Sequence, residues 1–412
     1  MANSFSKEDR TLFEDTLQEF NDQCVISKNV AKFGTDGELM ERANDTINRP
    51  VPYIANSQTR TVGSAVTAFD ATQLKVPATL SYSPNVTFNL DALEMRDGLQ
   101  GNKLSKAASQ RLSSDLNNSV RDVVSLEGTL IVPVSGAAGD YDDIASAESM
   151  MLEQGLDNYA RCLALTARDY NGLAGNLASR VLDNSKSLTA YERSSIGIIA
   201  GFDTLKIDAG KRIADAAAGG SITIATNGAQ VQYAPTATAD NRTQQVTFSS
   251  TTSMAVGDAF TIAGIEAVHH ITKESTGQLK TFRISSVDSG TLATISPPLI
   301  GANSTPADAE IQYKNIEVAS TSATAAVVWL NANAASANPF WVKESIEILP
   351  GRYAVPSGQG VEVLRGTTDQ GIELVMGKSF SNSTFKTLYT FDIFYGVVNC
   401  NPEMNGSILF GQ

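Results

Sequence analysis

A chain of 412 residues, 42% of them apolar, can build two or three packed units around a sizeable core. Its formal net charge of -13 argues against wrapping nucleic acid on a broad basic surface, because phosphate binding needs clustered Lys and Arg. Cys24, Cys162 and Cys400 are few, far apart and outside any C-x-x-C, which excludes a disulfide framework or zinc knuckle and points to reduced thiols.

The opening MANSFSKEDR carries no basic stretch followed by an apolar one, so no secretory signal is expected, and no run has the apolar length of a membrane span. The N-x-S/T triplets at Asn44, Asn85, Asn241 and Asn382 are accordingly expected to be chance matches. Ser6 and Asp9 are spaced as a capping box for a first helix. Phe13, Leu17, Phe20 and Cys24 then share one stripe, while Glu14, Asp15, Gln18, Glu19 and Asp22 lie mostly on the other side. That acidic face suits either plain solvation or docking of a basic partner. Residues 34–86 hold turn-prone and Pro-bearing pieces such as NRPVPY and VPATLSYSP, predicting an extended limb that must lean on another domain or another chain.

Leu104, Ala108, Leu112, Leu116, Val120 and Val124 recur every four residues with Gly128 as the stop, predicting a helix over 103–127, roughly 35 Å long. TLIVPV reads as a buried strand, DYDDIASAESMMLEQG as a capped helix, RCLALT as a strand and ARDYNGLAGNLASR as a helix: an α+β body. From about Gly219 the pattern turns to short alternating strands split by Gly, Asn, Asp and Pro, which predicts a small barrel or sandwich. Within it, VTFSSTTSMAVGDAFTIAGI (246–265) reads as a β-hairpin closed at Gly257 and Asp258. Helical and mixed signals return in TSATAAVVWLNANAASANPFWVKESIEI, and ELVMGKSF, TLYTFDIFYGVV and SILFG read as closing strands. The β unit is thus an insertion that leaves the body near residue 213 and re-enters it near 333.

A search for chemistry finds little. His269 and His270 are adjacent, so strand alternation points them to opposite faces, and they lack a metal- or triad-spaced companion; a surface or strand-edge position is expected. Asp140, Asp142 and Asp143 lack the EF-hand order and fit helix capping. The glycines of DGLQGNKLS and NGLAGN match neither a phosphate loop nor a dinucleotide fingerprint. Trp329 and Trp341 suit core packing rather than sugar platforms. No catalytic, cofactor-binding or metal-binding residue is assigned, and no enzyme or cofactor is expected. What remains is an assembly of parts that identical neighbours would support.

Together NDTINRPVPY, LKVPATLSYSPNVTFNLDALEMRD, the helix at 103–127, IIAGFDTLK, VTFSSTTSMAVGDAFTIAGI, NPFWVKESIEILP and FYGVVNCNPEMNGSILFG resemble the major capsid (coat) proteins of short-tailed double-stranded DNA phages. In that family a Hong Kong 97-type capsid fold carries an inserted β-barrel. The resemblance implies an α+β fold laid out as an N-terminal arm (1–33), an extended loop (34–86), a peripheral domain with its spine helix (87–135) and an axial domain (136–212). The inserted barrel would follow (213–332), then an axial and peripheral return (333–412). It implies a virion capsid protein, assembled in the host bacterial cytoplasm into pentamers and hexamers, that encloses double-stranded DNA without reading its sequence. A scaffolding protein, a portal protein and, in some shells, a decoration protein are the implied partners, with expansion on maturation. Glu14, Asp15 and Glu19 match by placement the acidic arm residues that meet the scaffold's basic helical module. Asp240 and Arg242, in APTATADNRTQQ, match the insertion's loop to a neighbouring capsomer, where they would form intersubunit ion pairs. Another phage structural protein, of tail or decoration type, and a carbohydrate-active hydrolase are the competing readings.

Overall fold

The computed structural model describes residues 7–34, 46–51, 61–63, 73–91, 98–156, 160–179, 193–216, 222–225, 240–301, 312–318, 324–353 and 362–411. Ser6, Asn44 and most of the extended limb lie outside them. The chain divides into one unit of residues 1–47, 78–121 and 346–398 and another of residues 48–77, 122–345 and 399–412.

In the first unit, helix α1 (Lys7–Gln23) buries Phe13 and Phe20, with Cys24 beyond its end, as the stripe requires. It packs on a four-stranded antiparallel sheet ordered Glu362–Thr367, Glu373–Ser381, Lys386–Ile393, Asn85–Asp91. Gly366 makes the fit possible, because a Cβ there would come within 2.9 Å of Phe13 Cε1. Asp9 turns its carboxylate to that sheet, taking Lys378 Nζ at 2.9 Å and the Tyr389 hydroxyl at 3.3 Å. Helix α2 (Gly98–Glu127) runs 30 residues, starting five earlier than the periodicity alone locates it. Ala108, Leu112, Leu116 and Val120 are buried along it in this unit, every fourth residue as predicted.

The second unit has two layers of its own. A mixed sheet runs Leu130–Val134, Asn405–Gly411, Ala335–Val342, Arg161–Thr166, Phe202–Ile207, Ile198–Ile199, with Lys211–Ile213 also paired to Ala335–Val342. Helices α3 (Tyr141–Glu153) and α4 (Ala167–Ser179) cover it, and Ile144, Met151 and Leu173 share a core with Leu163, Phe202, Phe340 and Phe410. Among the described residues 324–348 the expected helical signals give no α-helix, only a 3-10 turn at Lys343–Ser345. Thr324–Trp329 is a strand, and Ala335–Val342 is a central one with partners along both edges. A run of apolar and small residues buried on both faces is compatible with either period, and sheet pairing decides it.

After Ile213 the chain leaves this sheet and returns at Ala335. Between them lies a seven-stranded sheet whose main path is Thr223–Ala225, Thr324–Trp329, Ala259–Val268, Ser275–Val287, Leu292–Ser296, Gln244–Thr247, with Ile316–Val318 paired to Ala259–Val268. A bridge between Ile224 and Phe248 and a hydrogen bond from Ser249 N to Thr223 O at 2.8 Å join its two ends, closing a barrel rather than a sandwich. Phe260, Phe282, Ile284 and Ile295 fill it. The expected hairpin at 246–265 is corrected here: Gln244–Thr247 pairs with Leu292–Ser296, and Ala259–Val268 pairs with Ser275–Val287. The segment between them crosses the barrel end, and Gly257, at φ 92°, makes the turn without closing a strand pair.

The described part of the limb is anchored. Thr46–Pro50 and Lys75–Thr79 form a two-stranded sheet, and Val51 N donates to Leu74 O at 3.0 Å. Leu74 packs with Ile300 and Tyr313, and Lys75 exchanges hydrogen bonds with Asn241 at 2.9 and 3.2 Å. Asn241, one of the N-x-S/T positions, is therefore buried.

Candidate functional site

Among the described residues no group of three or more His, Cys, Asp or Glu is placed to hold a metal ion. Asp140 and Asp143 form the capping box of α3, the capping role their spacing suggests. Trp341 is fully buried and Trp329 lies edge-on to Phe260 at 5.6 Å, both in packing roles.

The surface on α1 is built from a polar seam. Thr16 meets Ser105, Ser109 Oγ lies 3.3 Å from Glu19 Oε2, Ser113 Oγ donates to Gln23 Oε1 at 3.0 Å and Asn117 Nδ2 donates to Gln23 O at 3.2 Å. Residues three to four apart on each helix share a face, so α1 and α2 zip in parallel through hydroxyls and amides. The remaining face of α1 is acidic. Glu14 and Asp15 are exposed, and Asp15, Glu19 and Asp22 line a cleft of about 430 Å³ opposite Lys103 and Lys106. Glu19 is already engaged by Lys106 at 3.5 Å, so Glu14 and Asp15 are the more open of the three acidic candidates. Asp22, which the candidate set leaves out, joins the cleft because it follows Asp15 and Glu19 at helical spacing.

The loop candidates have partners of another kind. Arg242 holds Asp240 as a fork, Nε to Oδ1 at 3.0 Å and Nη2 to Oδ2 at 2.7 Å, and its Nη1 reaches Glu127 Oε2 at 3.3 Å and Asn399 O at 3.1 Å. The sequence expectation has both residues reaching a neighbouring subunit; the structure gives both of them partners inside the chain. Loop residues 234–239 lie outside the described residues.

Arg242 belongs to a wider seat through which the barrel holds the body of the second unit. Fully buried Arg283 donates to Gly128 O at 2.6 Å, Gly257 O at 2.7 Å and Ser407 Oγ at 2.5 Å. Burial pushes its guanidinium down to about 9, partly offset by Asp258. Thr281 Oγ1 donates to Thr129 O at 2.5 Å, and Lys280 meets Glu403, which also accepts from Asn315 Nδ2 at 3.2 Å. The turn at 269–274 closes the seat: His270 N donates to Gln154 O at 2.9 Å, and the His269 ring covers Gly155. Both histidines are half-buried directly after the strand Ala259–Val268, and the turn carrying them rests on the end of α3. Burial holds His270 down at about 4 although Glu403 acts to raise it. Burial alone would raise the Glu403 carboxyl, but Lys280, His270 and Lys273 keep it below the usual range. The one signal of this seat in sequence is a charge inside an apolar strand, Arg283 between Phe282 and Ile284.

Comparison with known proteins puts these parts in context. In overall structure the chain is similar to Mycobacterium phage Che8, with 10% identity, TM-score 0.47 and coverage of 93% of this chain and 90% of that one. It is likewise similar to the capsid of the Cyanophage P-SCSP1u, with 9% identity, TM-score 0.45 and coverage of 93% and 86%. The CUS-3 coat protein I-domain matches at 33% identity and TM-score 0.20, over 28% of this chain and 98% of that one. The family model described as P22 coat protein, gene protein 5, matches residues 1–411. An α+β body, a long helix and an inserted barrel are the parts this chain builds, and with the family model matching along residues 1–411 it belongs to the P22 coat protein family.

Proposed function

We propose that this coat protein forms the pentamers and hexamers of a closed icosahedral shell around double-stranded DNA, and that the acidic face of α1 receives the scaffolding protein. The observation that carries the scaffold reading is the exposure of Glu14 and Asp15 beside the cleft of Asp15, Glu19 and Asp22. A basic helix laid there meets carboxylates already held in register by one helical face.

Residues 1–33 serve as the arm, 34–86 as the extended loop and 213–332 as the inserted barrel, with 87–135, 136–212 and 333–412 making the peripheral and axial parts. Expansion on maturation is a change between two packings, with α2 moving as a rigid rod and the arm and limb absorbing the difference. A portal protein at one vertex, and a decoration protein where the shell carries one, complete the partners.

Reversing Glu14 and Asp15 to Lys is the test. Scaffold-driven assembly, followed by light scattering, is expected to slow, with the gap between variant and wild type widening at low salt, where surface charge is least screened. Equal assembly rates for variant and wild type at every salt concentration would overturn the scaffold reading.

A further inference from the structure

We propose that the inserted barrel is the mount of the extended limb. Tyr313 and Asn241 clasp the limb's neck by its backbone, and so fix the point where the chain leaves at Val51 and returns at Leu74. The neck consists of Thr46–Pro50 beside Lys75–Thr79, and just beyond them Val51 N donates to Leu74 O at 3.0 Å. There the Tyr313 hydroxyl serves both sides at once, accepting from Leu74 N at 3.3 Å and donating to Val51 O at 3.4 Å. A phenol can do this because it is donor and acceptor together. At the next residue Asn241 Oδ1 accepts from Lys75 N at 2.9 Å, and Asn241 N donates to Lys75 O at 3.2 Å, in the manner of one more strand rung.

The neck needs such support. It has two strands of five residues each, and a lone two-stranded ribbon is marginally stable in water at best. Its register is therefore weakly specified unless something outside it pins the pairing. Leu74 supplies an apolar anchor, buried with Ile300 and Tyr313 of the barrel. The polar clasps go to limb backbone, so the barrel holds the neck whatever side chains the limb carries there.

The clasping groups are themselves braced from behind, as a mount requires. Asn241 stands between Asp240 and Arg242, and Arg242 ties that turn to Asp240 Oδ2 at 2.7 Å, Glu127 Oε2 at 3.3 Å and Asn399 O at 3.1 Å. Asp240 and Arg242 thus act as positioning residues for the Asn241 clasp. On the other side Asn315 Oδ1 accepts from Ile300 N at 3.0 Å, Asn315 N donates to Ile300 O at 3.0 Å, and Asn315 Nδ2 donates to Pro298 O at 2.9 Å. These bonds fix the wall against which Leu74 packs. The proposal rests on the limb serving as the extended loop of a shell subunit, and only the second of its two experiments depends on that reading.

Tyr313→Phe keeps the ring against Leu74 and Ile300 and removes only the hydroxyl. In the free subunit, hydrogen exchange at the Leu74 amide is expected to speed up by about tenfold, with barrel amides such as Phe260 and Phe282 unchanged. Unchanged exchange at Leu74, or faster exchange throughout the barrel, would overturn the mount. Tyr313→Phe combined with Asn241→Ala is expected to extend the loosening to the Lys75 amide. Mixed with scaffolding protein, this double variant should lose most of the wild type's yield of closed shells, counted by electron microscopy. A wild-type yield from a loosened neck would overturn the mount's part in assembly. Absence of shells from the wild type would overturn the shell reading alone, because the exchange measurement needs no shell.

Discussion

Lys280 places its ammonium 2.5 Å from the carboxylate of Glu403, 123 residues along the chain, with only 2% of the Lys280 side chain exposed. The pair joins a barrel strand to the turn before the last strand of the body, so it reports on how firmly the insertion is seated. Lys280→Met leaves a buried carboxylate without its nearest cation and is expected to cost about 3–5 kcal/mol. Adding Glu403→Gln should recover much of that loss, because an amide can keep the Asn315 contact without a stranded charge. Denaturant melts of the two singles and the double measure the coupling.

Arg283 satisfies the carbonyl of Gly128 just past the end of α2 as well as Gly257 O and Ser407 Oγ. Arg283→Met keeps the apolar stem and removes every donor, leaving two buried carbonyls short of a partner at about 1–3 kcal/mol each. Arg283→Lys is expected to rescue little, since one ammonium cannot reproduce a planar fork. Thermal unfolding of the free subunit is the measurement, and it should show both variants well below wild type.

His270 makes stability fall on mild acidification. Its folded value is about 4, whereas the unfolded chain takes the proton at its ordinary 6.5, so between those values the unfolded state binds more protons. Stability is full above pH 6.5 and drains away as pH falls toward 4, by on the order of 2–3 kcal/mol. The groups around the ring are Glu403, Lys273, Lys280 and His269, so protonation brings one more cation beside two lysines. His270→Gln should flatten the slope between pH 6.5 and 4.5 in a melting series. The separate loss below about pH 4.5, which comes from protonating Glu403, should persist.

Gly128 ends α2 where a Cβ would meet Val124 O at 2.6 Å, Asn405 Oδ1 at 2.8 Å and Gly406 Cα at 2.8 Å. Two of these contacts are backbone, and the third, Asn405 Oδ1, is held in place by the Asn399 amide at 3.0 Å. Gly128→Ala is expected to destabilise the subunit by about 1–3 kcal/mol through overpacking, whereas Gly175→Ala, in open space on α4, should be neutral or slightly stabilising. Parallel melts of the two variants check this.

What the amino-acid sequence determined by itself is local. The four-residue recurrence of Leu112, Leu116 and Val120 dictates which face of α2 is buried, and the Asp140 to Asp143 spacing dictates the start of α3, because a helix fixes where each side chain points. The acidic face carrying Glu14 and Asp15 is legible for the same reason. Only the tertiary structure decided pairing. The segment 246–265 reads as a hairpin by its alternation and its Gly–Asp turn, yet its two strands sit apart in the barrel, with Ser275–Val287 and Leu292–Ser296 between them. Alternation sets a face but not a neighbour. Asp240 takes Arg242 locally, but Arg242 reaches Glu127 and Asn399, and His270, Lys280 and Arg283 become one seat, only because the fold brings distant backbone together. Burial then makes each unpaired charge costly enough that these partners, rather than solvent, satisfy them.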